Sequence, residues 1–364
     1  MDTNIFEEFE SLDTAVWVSS IKKYLKDKPY ESLQHKIGDE IEIEPFYRKD
    51  DLNGNEAMPI LGHNQWLIAA SFNVEANDSS YLSKVRADIL DALAGGANAL
   101  QLQINTGTAE LLPILLEGVY LNMVHLHIEG SALGIDPLSW VETLASLDGA
   151  TNAVGSLALA KWDVEVVKKA LIQLPKWSFG NIIVADSEQV STAIASALGE
   201  ASNWIAELMD AGISLATAQQ QIRFVVNLTD DYFLSIARLR ALKRLWLALM
   251  EAFGAIDVVQ WPKIHVRTSY DQSDKPYWNM IAATTQALSA AVAQVYSLEV
   301  VPVAGEQLSP AFANRIARNI QHLLKMESHI DNIIDPSAGS YYVERYTKAI
   351  AEKAWFLFVA SNRK

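Results

Sequence analysis

Cysteine is absent from the 364-residue chain, which excludes disulfide scaffolds, thiolate metal sites and cysteine nucleophiles. Long hydrophobic runs are missing as well. No stretch approaches the roughly 18 to 20 apolar residues that cross a bilayer, and the first thirty residues mix Glu, Asp and Lys with apolar positions instead of forming a signal-peptide core. The expectation is a cytoplasmic protein without membrane contact. Positive charge is scarce: 29 Lys and Arg face 44 Asp and Glu, for a formal charge of −15. A field of that sign repels phosphate backbones and anionic lipid, so no nucleic-acid or membrane partner is expected. Several catalytic signatures are also lacking. The chain has no Gly-x-Ser-x-Gly elbow, no Walker lysine loop and no His-Glu-x-x-His helix, each of which would have fixed a reaction class.

What is present is enough apolar sequence for a large core. Half the residues are hydrophobic and ten are Trp, a composition that folds. From about residue 60 onward, short β-rich runs alternate with stretches of helical period. The strand runs are Trp66–Asn73, Ala99–Asn105, Val124–Glu129, Val154–Leu159, Asn181–Ala185, Ile222–Leu228, Ile264–Ser269 and Ser297–Val303. The helical stretches are Tyr81–Ala94, Ala109–Tyr120, Leu138–Leu147, Val164–Leu174, Val190–Met209, Tyr232–Phe253, Trp278–Val295 and Pro310–Met326. Strict β-then-α order implies a parallel sheet with right-handed crossovers, and eight units are the number that closes a (β/α)8 barrel of the TIM type. An open doubly wound sheet is the alternative, but no Gly-x-Gly-x-x-Gly turn follows the first strand run. Residues 1 to 60 read differently, as an arm with a short amphipathic helix around Phe6–Leu25 and an irregular acidic segment. The division is thus an arm over 1–60, a barrel over 61–326 and a C-terminal linker helix within 327–364.

Side chains alternate along a strand, so one parity of each run faces the helices and the other faces the barrel axis. Leu100, Leu102 and Ile104 belong against helices, which turns Gln101, Gln103 and Asn105 inward. By the same rule His125, His127 and Glu129 point inward from the third run, Arg223 and Asn227 from the sixth, and His265 and Arg267 from the seventh. Most barrels fill this space with Val, Ile and Leu. Three explanations compete for a polar axis: a self-satisfied hydrogen-bond and ion-pair network, a tunnel for an elongated polar ligand, or a metal site begun by His125 and His127 with Glu129 beside them. The helix aromatics Trp204, Trp246 and Trp278 are expected to anchor the core.

The segment Asn314-Arg315-Ile316-Ala317-Arg318-Asn319-Ile320-Gln321, followed by Met326-Glu327-Ser328-His329 and Asp335-Pro336 to Glu344, resembles the barrel end of the methylmalonyl-CoA mutase family. Ile236-Ala237-Arg238-Leu239-Arg240-Ala241 with Arg244-Leu245-Trp246 resembles its sixth barrel helix. Trp17, Pro45-Phe46-Tyr47 and Asp50-Asp51-Leu52 resemble its N-terminal arm. The resemblance implies a barrel threaded by coenzyme A and joined to a cobalamin domain whose Asp-x-His-x-x-Gly motif ligates cobalt. That motif does not occur here, since His125 to Gly130 reads His-Leu-His-Ile-Glu-Gly. The family's Arg-Gly-x-Tyr-x-x-Met-Tyr stretch is reduced to Leu52-Asn53-Gly54-Asn55-Glu56-Ala57-Met58. Its Gly-Tyr-His is replaced by Ala185-Asp186-Ser187, and its Gln-Thr-Ser-Gly-Trp by Arg267-Thr268-Ser269-Tyr270-Asp271.

The family includes heterodimers of a catalytic chain and a degenerate relative, and these departures resemble the second. The resemblance therefore implies a small, non-catalytic subunit with the cobalamin domain absent, neither catalytic nor cofactor-binding residues of its own, and a catalytic large subunit as partner that carries adenosylcobalamin. The isomerisation of methylmalonyl-CoA and succinyl-CoA would belong to the complex. The alternative is a stand-alone acyl-CoA-binding or metal-dependent barrel enzyme using His125, His127 and Glu129. Long inward side chains favour a plugged axis, in which Glu129 partners the two guanidinium groups and its removal costs about 3 to 5 kcal/mol.

Overall fold

The computed structural model describes residues 13–26, 28–38, 41–48, 51, 63–159, 163–255, 260–270, 275–303 and 308–362. The strands are β1 (Leu67–Val74), β2 (Ala99–Ile104), β3 (His125–Glu129) and β4 (Gly155–Leu157). They continue as β5 (Trp177–Ser178 and Gly180–Val184, interrupted at Phe179), β6 (Ile222–Asn227), β7 (Lys263–Arg267) and β8 (Ser297–Glu299). Every neighbouring pair is parallel. The first part of β5 pairs with β4 and the second with β6, so the strand order begins and ends on β5 and the sheet closes into a barrel. All eight strand runs read from the sequence are there, with ends shifted by a residue or two. The exceptions are β5, which starts four residues early at Trp177, and β8, which stops at Glu299.

The barrel helices are α1 (Ser79–Ala94), α2 (Leu111–Leu115), α3 (Pro137–Ser146), α4 (Val164–Gln173), α5 (Val190–Asp210), α6 (Tyr232–Ala252), α7 (Pro276–Val292) and α8 (Pro310–Met326). Side-chain oxygens start most of them: Asp78, Asp136, Asp163, Asp231 and Ser309 each accept a bond from a backbone N–H in the first turn, groups that have no partner within the helix. The second helix is far shorter than the expected Ala109–Tyr120. Pro113 has no N–H to donate and is tolerated only in a first turn, while Gly118 leaves helical geometry at φ +86°.

Hydrophobic burial fixes the wall between the two layers. Leu100, Leu102, Ile104, Leu126, Ile128, Phe224, Val226, Ile264, Val266 and Leu298 all lie in one apolar cluster with the inner faces of the helices. Of the three helix tryptophans, Trp246 is buried and donates its indole N–H to Gln260 O at 2.9 Å. Trp204 is half-buried against the core. Trp278, in the first turn of α7, is instead 68% exposed beside the exposed Tyr277 and Ile281 and is not part of the apolar core of the described residues.

The run after α8 packs on the barrel. Its helix α9 (Tyr341–Asn362) lies against α5 and α6 with Tyr346, Ile350 and Ala354 fully buried. The arm is attached more lightly. Its helix Thr14–Leu25 has no buried residue, and Trp17 stacks on Phe46 with ring centroids 4.6 Å apart. An antiparallel hairpin, His35–Ile37 with Ile41–Ile43, follows, and Ile43 joins the core. Residues 1–12, which include the start of the expected arm helix, and the motif-like segment 52–58 lie outside the described residues.

Candidate functional site: the polar axis of the barrel

Strand register places the inward residues. Gln101 sits beside His127 and Ser71, Gln103 beside Glu129 and Asn73, and His127 beside Ser156. On the other side Asn181 neighbours Arg223, His265 neighbours Val225 and Ser297, and Arg267 neighbours Asn227 and Glu299. At the C-terminal mouth Arg267 on β7 donates to Glu129 Oε1 at 2.7 Å. Strands β7 and β3 are four places apart in an eight-stranded ring, so this ion pair spans the bore. Arg267 also donates from Nε to Glu299 Oε2 at 2.8 Å, and Asn181 donates to the other oxygen of Glu129 at 3.3 Å.

The second carboxylate, Glu299, is the group that the sequence reading missed. It is buried, while the Glu129 side chain keeps 17% exposure. Extending the alternation rule to Ser297-Leu298-Glu299 would have found it, and starting the seventh run one residue earlier would have found Lys263. His265 bonds Glu299 through Nε2 at 3.2 Å and Ser297 through Nδ1 at 2.8 Å. Burial alone would raise the Glu299 carboxyl, but the bond from His265 and the Arg267 charge outweigh it and hold its pKa at about 2. Burial and the nearby Arg223 push His265 down to about 4, so its ring is neutral at pH 7. Burial and then Arg223 likewise drive His127 well below the ordinary imidazole value. His127 Nδ1 pairs with Ser156 Oγ at 2.8 Å, and the half-buried His125 pairs with Tyr296 Oη at 2.8 Å.

These contacts redistribute the roles read from the sequence. Glu129 partners only one guanidinium. Arg223, fully buried, has no hydrogen-bond partner among the described residues at Nε or at either terminal nitrogen. Because the Glu129–Arg267 pair is part-exposed and Arg267 retains Glu299, losing Glu129 strands less buried charge than expected, and the cost falls to about 1 to 2 kcal/mol. Asn105 is exposed at the rim, where it accepts from Gln103 at 3.3 Å and from the Ser131 N–H at 3.3 Å. Asn227 is half-buried, and its backbone carbonyl accepts from Arg238 at 3.1 Å. His125 and His127 are engaged by separate hydroxyls, and among the described residues no three His, Asp or Glu side chains group as a metal site.

The segments that carried the resemblance also meet. Arg240 on α6 is buried and binds Asp335, Ser337 Oγ at 3.1 Å and Glu344 Oε1 at 2.7 Å, which ties the sixth helix to the Asp335–Glu344 turn. Arg238 beside it donates to the carbonyls of Val184 and Ala185 at 3.4 and 2.9 Å, closing the end of β5. His127, the histidine of the His-Leu-His-Ile-Glu-Gly stretch on β3, is 2% exposed within the bore, with its Nδ1 paired to Ser156 Oγ.

Comparison with known proteins agrees with this architecture. The family model for methylmalonyl-CoA mutase matches residues 182–363. A methylmalonyl-CoA mutase small subunit from Porphyromonas gingivalis is 29% identical, with 98% of this chain and 64% of that protein covered. A probable small subunit from Mycobacterium tuberculosis is 28% identical over 82% of this chain and 52% of its own length. The small subunit from Propionibacterium freudenreichii subsp. shermanii is 26% identical over 87% and 55%. The chain thus spans between about half and two thirds of the length of these relatives. With the matched half containing both the Arg240 anchor and the closing strands of the barrel, the chain belongs to the methylmalonyl-CoA mutase family.

Proposed function

We propose that this chain is the small, non-catalytic subunit of an adenosylcobalamin-dependent methylmalonyl-CoA mutase, working with a catalytic large subunit that holds the cofactor. The observation that carries the reading is the Arg267–Glu129 pair across the mouth of the bore, above fully buried Arg223 and His265. A barrel that threads coenzyme A needs small inward residues, whereas an eight-stranded barrel has an interior that side chains of this length fill. The chain's own residues therefore support a scaffold rather than a reaction. The arm fits that role: no residue of its helix is fully buried, as suits a segment that orders on a partner.

The test is co-expression with a cobalamin-binding large subunit. Methylmalonyl-CoA should be isomerised by the purified pair and not by this chain alone. Turnover by the isolated chain, or adenosylcobalamin co-purifying with it, would overturn the reading.

A further inference from the structure

The middle of the bore holds buried polar groups that bond to nothing else in the described structure. All three guanidinium nitrogens of Arg223 are without a partner, as are Nε2 of His127 and both amide atoms of Gln101. Register joins these groups in two pairs, Gln101 with His127 and Arg223 with Asn181, whose Oδ1 is also unpartnered, and the Arg223 charge acts on His127 across the bore. Strands β2 and β6 are opposite in the ring, so Gln101 and Arg223 approach the axis from facing walls. Arg223 is 0% exposed, Gln101 1% and His127 2%.

Buried donors are nearly always satisfied, and a buried charge is paired. Here donors dominate. The guanidinium brings only N–H groups; Gln101 brings an NH2; and when the Ser156 hydroxyl donates to Nδ1 of His127, Nε2 carries the proton. Against them stand only the side-chain oxygens of Gln101 and Asn181. Charge is unbalanced in the same sense: the inward cations are Arg223, Lys263 and Arg267, and the inward carboxylates are Glu129 and Glu299. Both carboxylates are already bound to Arg267, while Lys263 donates to the Gln220 carbonyl at 3.2 Å.

We propose that the barrel axis binds one monatomic anion, chloride under ordinary conditions, held by Arg223 with His127 Nε2–H and the Gln101 amide completing the shell. A single negative charge matches the deficit, which a phosphate dianion would exceed. A halide also accepts bonds from several directions, as donors converging from opposite walls require. The anion would act as a stopper, neutralising Arg223 and binding β2, β3 and β6 together.

The full chain provides the test. Urea unfolding is measured at fixed ionic strength while chloride replaces gluconate. Once a single native-state site is saturated, each tenfold rise in chloride lowers the unfolding constant about tenfold, and Arg223→Met abolishes that dependence. Should that variant not fold, Gln101→Leu, which removes a neutral donor, shifts the dependence to higher chloride. Crystals of the unsubstituted chain grown in bromide should give an anomalous peak against the Arg223 guanidinium. An unfolding constant indifferent to chloride, a dependence that survives in Arg223→Met, or a centre holding only water with no bromide peak would each overturn the proposal. None of these readouts uses mutase activity or a partner subunit, so the site stands or falls apart from the subunit assignment.

Discussion

Replacing Glu299 by Gln tests the electrostatics of the bore most directly. In the native chain this buried carboxylate receives Nε2 of His265 and Nε of Arg267. An amide of the same shape keeps the volume but removes the charge, leaving Arg267 with Glu129 alone. Breaking a buried ion pair from one side costs about 3 to 5 kcal/mol, and the partial exposure of Arg267, which keeps Glu129, places the loss at the lower end. An independent route gives a similar figure. A carboxyl held at about 2 against its ordinary 4.5 corresponds by linkage to about 3 kcal/mol of stability. The sign is fixed: a depressed carboxyl contributes fully above its unfolded value, and the contribution drains as pH falls through 4.5 toward 2. Unfolding free energies from urea titrations of native and Glu299→Gln proteins should therefore differ by about 3 kcal/mol at about pH 7, a gap that narrows by about 1 kcal/mol at about pH 3.5 as the unfolded carboxyl takes up its proton. A gap of the same size at both pH values would show that the loss comes from packing, and the ion-pair reasoning would fail.

Glu129→Gln should cost only about 1 to 2 kcal/mol, because its partner is part-exposed and keeps a second carboxylate; a loss above that of Glu299→Gln in the same titration would reverse the assignment. Arg240→Met leaves two carboxylates facing each other beneath α9 and should lower stability by about 3 to 5 kcal/mol, read from urea midpoints and from earlier proteolysis of the α9 segment. The His265 imidazole, depressed to about 4, should show no NMR titration between about pH 7 and 5, where an exposed histidine changes charge. Removing residues 1–50 should abolish co-purification with the large subunit while far-UV helix content stays nearly unchanged; wild-type recovery of the pair would exclude the arm as the tether.

The barrel was legible because two periodicities coexist in the chain. Runs such as Ala99-Leu100-Gln101-Leu102-Gln103-Ile104 alternate every second residue, since one side meets helices and the other the bore. Helical stretches such as Pro310–Met326 repeat at the longer period. Parity says which side a residue faces and nothing about what faces it from the opposite wall. That depends on the stagger between strands, which no local pattern encodes. Hence Arg267, Glu129 and Arg223 were read as inward, while the pairing of Arg267 with Glu299 and the isolation of Arg223 emerged only from the register. Trp278 illustrates another limit. A large aromatic at a helix start carries the same local signal whether it turns toward the core or out to solvent.

The Arg240 anchor has a consequence for how the chain is made. Its carboxylate partners lie 95 and 104 residues further along, so on the ribosome α6 emerges with a guanidinium that has nothing to bind. At about 5 to 20 residues per second, the wait before Asp335 and Glu344 arrive is on the order of 5 to 20 seconds. Throughout it the apolar faces of α5 and α6 that later receive α9 remain bare. Nascent chains of this protein are thus most at risk while the stretch between α6 and α9 is being made, and there a holding chaperone would find its binding surface.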